Sequence, residues 1–141
     1  MKSFSTSIKI QAAPEKIWAI LTDASRWTEW NTTVDRIEGK IAPGEKVTVY
    51  VKINPGRGFP LKVREFVSPQ RMVWADGMPL GLFKGERTYT LTKQTDGSTE
   101  FAMREEFTGL LSGMITKSIP DMQPAFEQFA ACLKQRAERA N

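Results

Sequence analysis

The chain has 141 residues, 40% of them hydrophobic and 26% charged, with a net charge of +4, one cysteine and no histidine. This length suits one globular domain, residues 1–141, with a sizeable core. It excludes histidine-dependent catalytic triads, the usual Cys/His zinc sites and an internal disulfide, so no metal and no cofactor is expected.

The basic residues are scattered, which argues against a nucleic-acid partner. No run approaches the ~20 apolar residues of a membrane span, and the N-terminus lacks the apolar centre of a signal peptide. The expectation is a cytoplasmic protein without integral membrane contact. Its oligomeric state is open.

Residues 3–11 alternate, with Phe4, Thr6, Ile8 and Ile10 on one face, which predicts a strand. Pro14 fits the first turn of a helix, with Glu15 near its positive end. Ile17, Ile20, Leu21 and Ala24 continue it at helical spacing, and Ser25 is placed to cap a second short helix, 26–30. Strands are then predicted at 34–38, 47–53, 61–67, 72–76, 82–93 and 98–107, with a loop at 54–60. Residues 110–119 read as a short helical or irregular segment. Met122, Phe126, Phe129, Ala130, Leu133 and Ala137 then form the apolar stripe of a long helix starting near Asp121. Cys132 beside that stripe reads as inert.

The predicted architecture is α+β. Seven antiparallel strands curve around the C-terminal helix, with two short helices after the first strand, and there is room for a cavity between sheet and helix.

The stretch Ala13-Pro14-Glu15-Lys16-Ile17-Trp18-Ala19-Ile20-Leu21-Thr22-Asp23, followed by Trp27, Trp30-Asn31 and Glu38-Gly39, resembles the start of the SRPBCC superfamily. This is the START, birch-pollen-allergen and polyketide cyclase/dehydrase group. Phe101–Leu111 followed by a long helix is similar to the bacterial polyketide cyclase/dehydrase-like branch. The resemblance implies a helix-grip fold and a cavity for lipid- or polyketide-like molecules. It carries over no catalytic residue, since the superfamily shares no catalytic motif.

The site residues come from strand register. A three-residue loop, Thr95-Asp96-Gly97, pairs Gln94 with Ser98 and therefore Leu91 with Phe101, Tyr89 with Met103, and Arg87 with Glu105. This places Arg87 and Glu105 together on the apolar face. In the preceding hairpin, Leu61, Val63, Glu65 and Val67 are expected to share a face, setting Glu65 near Trp74. Charges in the interior must be paired or wetted. Glu65, Arg87 and Glu105 are thus candidates to line a ligand cavity, to act as general acid or base, or to form a purely structural ion pair. Trp30, Trp74, Tyr89, Phe101, Met103, Met122 and Phe126 are expected around them, with Trp27 in the core. Residues 76–82 read as a cavity lip or an ordinary hairpin connection. Leu110, Leu111, Met114 and Ile115 either close the same mouth or pack the core.

Three functions remain open at this point. One is binding of a small apolar or amphipathic ligand. Another is a cyclase/dehydratase-type enzyme using cavity carboxylates. The third is a protein-interaction module of the same fold, as in heat-shock ATPase activators.

Overall fold

The computed structural model describes residues 2–139, without the side chain of Ser118. Strand β1, Lys2–Ile10, buries Phe4 and Ile10 and turns its serines and Lys9 outward. Pro14 then opens helix α1, Pro14–Leu21, where a missing N–H costs nothing, and Ile17, Trp18 and Leu21 face inward. A 3₁₀ turn, Ala24–Arg26, leads into α2, Trp27–Trp30. Ser25 does not cap α2; its hydroxyl donates to Asp23 Oδ1 at 2.5 Å.

Six strands follow: β2 Val34–Gly39, β3 Lys46–Val51, β4 Gly58–Val67, β5 Arg71–Met78, β6 Phe83–Lys93 and β7 Thr99–Thr108. A short helix α3, Ser112–Ile115, and a 3₁₀ turn, Thr116–Ser118, precede helix α4, Gln123–Glu138. Pro124 sits in the first turn of α4, where it is tolerated.

The strands form one antiparallel sheet in the order β1-β7-β6-β5-β4-β3-β2. β1 and β2 are its two edges, so α1 and α2 carry the chain from one edge to the other. α4 lies against the concave face and is tied to β1. Lys134 Nζ donates to the Lys9 carbonyl at 2.8 Å, and the Gln11 N–H donates to Glu138 Oε2 at 2.8 Å.

The β6–β7 register is the predicted one, with Arg87 opposite Glu105, Tyr89 opposite Met103 and Leu91 opposite Phe101. The turn explains it. Asp96 Oδ1 accepts from both the backbone N–H and the hydroxyl of Ser98, and Gly97 takes the left-handed conformation at φ 88°.

Two expectations about β4 are corrected. First, the loop at 54–60 is shorter, because β4 already begins at Gly58 and pairs Pro60 with Thr48. β5 pairs with β4 only from Lys62 onward, so Pro60 lies where β4 has one neighbour, a position that accepts proline. Second, a bulge at Arg64 shifts the β4–β5 register between Val63 and Glu65. The extra residue reverses the alternation. Phe66 turns inward against Trp18, with ring centroids 5.2 Å apart. Glu65 turns out to solvent, where its Oε2 accepts from Arg71 Nε at 2.8 Å.

The half of the sheet–helix space near α2 is filled by aromatic rings. Trp27 stacks on Trp74 at 5.6 Å, and Trp74 meets Tyr89 edge-on at 5.0 Å. Phe129 of α4 closes against Trp27, Trp30, Tyr89 and Phe101 at centroid distances of 5.4 to 6.0 Å. Rings at these distances pack as densely as a core requires.

Candidate functional site

Further along β6 and β7 the inward side chains change character. Arg87 and Glu105 follow Tyr89 and Met103, and Gly85 faces Phe107 after them. Gly85 carries no side chain, and a cavity of about 170 Å³ opens over it. β3 to β7 form its floor, while Ile115, Ile119 and Met122, from α3 to the start of α4, form its roof. Asn54 and Arg57 stand at one side and Asp76 at another. The walls are otherwise mostly apolar, with Val49, Phe59, Phe83 and Phe107 among them. This volume is of the size that holds a single aromatic ring, about 150 Å³. It falls below the ~300–1,000 Å³ of pockets for larger ligands.

Arg87 and Glu105 are the buried charges of the wall. Arg87 Nη2 donates to Glu105 Oε1 at 3.1 Å, and the two side chains are 11% and 10% exposed. The guanidinium carbon lies 5.0 Å from the centre of the Phe126 ring, a cation–π contact. Burial works against the Arg87 charge, but Glu105 and Tyr89 together outweigh it and raise its pKa further. Burial pushes the Tyr89 hydroxyl up as well. Hydrogen bonding around the pair is incomplete, since Arg87 Nε and the neighbouring Tyr89 hydroxyl are buried with no hydrogen-bond partner among the described residues. Such groups are uncommon in native interiors.

A family model described as polyketide cyclase / dehydrase and lipid transport matches residues 1–138. The chain belongs to that family.

Its fold is the helix-grip fold of solved START-like structures. The chain is similar to the hypothetical protein jhp0584 from Helicobacter pylori, with 14% identity over 97% of this chain and 88% of that one, at a TM-score of 0.77. It is also similar to a START superfamily protein from Mycobacterium smegmatis, with 17% identity over 96% and 97%, at 0.69. The di-domain ARO/CYC protein BexL of the BE-7585A biosynthetic pathway is similar at 14% identity and 0.72, covering 99% of this chain and 51% of that one. At these identities the likeness is one of fold. No curated protein matches the sequence. Both family and fold suggest ligand binding. Among the described residues, no helix is long and apolar enough to cross a membrane.

Set in this family fold, the expected site residues divide into groups. Arg87, Glu105 and Met122 line the cavity. Met103 and Phe126 instead border a smaller void of about 20 Å³, which shares Val51, Arg87 and Met122 with the cavity. Trp74, Tyr89 and Phe101 are fully buried in the aromatic packing and do not reach the cavity, and Trp30 packs beside them. Bulky rings pressed against Phe129 leave no space there. The Glu65 side chain lies on the outer face of the sheet, away from the cavity, because of the bulge.

Asp76, in the segment read as a cavity lip or hairpin connection, and Ile115, read as closing the mouth or packing the core, both line the cavity, whereas sequence reasoning missed Gly85 and Ile119. Gly85 was within reach, since the four-residue Pro79–Leu82 loop pairs Met78 with Phe83 and so sets Asp76 opposite Gly85. An inward glycine among large residues is the local signal for empty space.

Proposed function

We propose that the chain binds a small, neutral, mostly apolar molecule bearing one hydroxyl group. The observation that carries this reading is the buried Arg87–Glu105 pair in the wall of a mostly apolar cavity of about 170 Å³. The pair is internally neutral. An ionised ligand would leave an uncompensated charge beside it, which is costly in a dry site. A hydroxyl suits the pair because it donates to a carboxylate and accepts from a guanidinium. The remaining walls reward apolar surface.

The enzyme reading has one observation in its favour. Glu105 engages Arg87 through Oε1, and among the described residues no partner holds Oε2, which could therefore take or return a proton on a bound ligand. Turnover of a hydroxylated ligand that Glu105→Gln abolishes, with binding retained, would convert the carrier into a cyclase/dehydratase-type catalyst.

The binding reading is tested by titrating phenol and benzoate while following the methyl resonances of Ile115 and Met122. Phenol is expected to shift both and benzoate neither. Gly85→Leu should abolish the phenol response while the melting midpoint changes little, because the new side chain fills existing space. Equal binding of benzoate, or an unchanged response in Gly85→Leu, would overturn the assignment.

A further inference from the structure

Three of the largest exposed apolar side chains stand together beside the cavity mouth. Leu80 is 92% exposed, Leu110 84% and Met114 70%. Their loops are joined, as the Leu110 N–H donates to the Gly81 carbonyl at 3.2 Å and the Leu111 N–H to the Leu82 carbonyl at 2.7 Å. Met114 follows one turn later, its N–H donating to the Leu111 carbonyl. Leu80 is held outward by a backbone that does not suit it. Its φ is +64°, the only positive value outside glycine among the described residues. That region is strained for leucine and easy for glycine or asparagine. A strained conformation that presents an apolar side chain to water gains nothing for the fold.

A basic groove adjoins the same hairpin. It runs over the outer face of the sheet and is lined by Lys46, Lys62, Arg64 and Lys84 together with Met78, Pro79 and Gly81, with Asp76 as its one acid. Lys46 and Lys62 are direct cross-strand partners, a like-charge pairing that weakens a sheet. Lys84 is bridged to Glu86 at 3.1 Å, while Lys46, Lys62 and Arg64 make no ion pair among the described residues.

We propose that this face docks on an anionic lipid surface. The Leu80, Leu110 and Met114 tips enter the headgroup boundary, and Lys46, Lys62 and Arg64 rest on the charged headgroups. Apolar tips flanked by cations are the combination that an acidic bilayer interface rewards. Nucleic acid would use the cations and leave the apolar tips in water. A second copy would bring the same cations face to face across a two-fold axis. Docking in this orientation turns the cavity mouth toward the bilayer, so a hydroxylated apolar ligand would pass between them without crossing water. That last consequence rests on the cavity reading; the docking itself does not.

The test is sedimentation of ligand-free protein with phosphatidylcholine vesicles, with or without about one third phosphatidylglycerol, in 0.1 M salt. Partition is expected only with the anionic vesicles and should fall as salt rises. Lys46→Gln with Lys62→Gln should weaken it more than tenfold, at about fivefold per cation. Leu80→Asn with Leu110→Asn should weaken it comparably without lowering the melting midpoint, because asparagine accepts the positive φ. Gly85→Leu should bind vesicles like the wild type, which separates failure of docking from failure of the cavity reading. No partition with anionic vesicles, equal partition with neutral ones, or full retention in either double variant would overturn the proposal. So would a dimer in light scattering that Leu80→Asn dissolves, which would assign the face to a second copy.

Discussion

Arg87→Met is expected to lower the unfolding free energy by about 3 kcal/mol, the low end of the range for breaking a buried ion pair. In a chain of this size that is about 10 °C in melting midpoint. Methionine fills similar volume, so packing loss is small. The cost arises at Glu105, left 10% exposed with its cation gone. Adding Glu105→Leu should recover most of the loss, because replacing both partners by apolar groups removes the stranded charge. Urea denaturation of the wild type, both single variants and the double variant gives the coupling. Simple additivity in that cycle, or a neutral Arg87→Met, would show that solvent in the cavity already compensates the charges.

Phe129→Ala should cost more, about 4 kcal/mol, the usual scale for removing a buried aromatic ring. Phe129 is 3% exposed and is the α4 ring on which Trp27, Trp30, Tyr89 and Phe101 converge. Its loss opens the dense half of the interior, where stacked rings cannot collapse into the gap without disturbing α2. Urea melts and near-ultraviolet ellipticity measure this directly. A cost below about 1 kcal/mol would mean the rings repack and that α4 is anchored by its aliphatic contacts instead. The contrast with Gly85→Leu is instructive, since one change empties a filled region and the other fills an empty one.

Local chemistry made much of this legible. The Thr95-Asp96-Gly97 turn fixes its own register through Ser98, so the Arg87–Glu105 pairing follows from turn type and alternation alone. The α4 stripe and the β1 alternation are likewise written in single-element periodicity. Glu65 was misplaced for an equally physical reason. A bulge is a tertiary choice, here made so that Phe66 reaches Trp18, and nothing in Arg64-Glu65 marks it. Trp74, Tyr89 and Phe101 share a face with Arg87, but sharing a face does not divide filled from empty space. That division depends on where α2 and α4 bring their own rings, which is non-local. The roof at Ile115 and Ile119 belongs to a segment with short, weakly patterned turns, where periodicity has little to read.

The edge position of β1 has a consequence for how the chain is made. Every other strand pair in the sheet joins neighbours in sequence, but β1 pairs Lys2 with Phe107 and Ile10 with Thr99. At a synthesis rate of about 5–20 residues per second, β1 waits roughly 5–20 s for its partner to emerge. Closing so long a loop contributes entropy cost and no early contact, so the hairpins from β2 to β7 assemble ahead of it. Through that interval β1 is an unpaired strand, and its composition suits the exposure. Ser3, Ser5, Ser7 and Lys9 alternate with Phe4, Thr6, Ile8 and Ile10, so no two large apolar residues are adjacent. The serine row that later faces solvent thus also keeps the nascent segment from pairing with another copy.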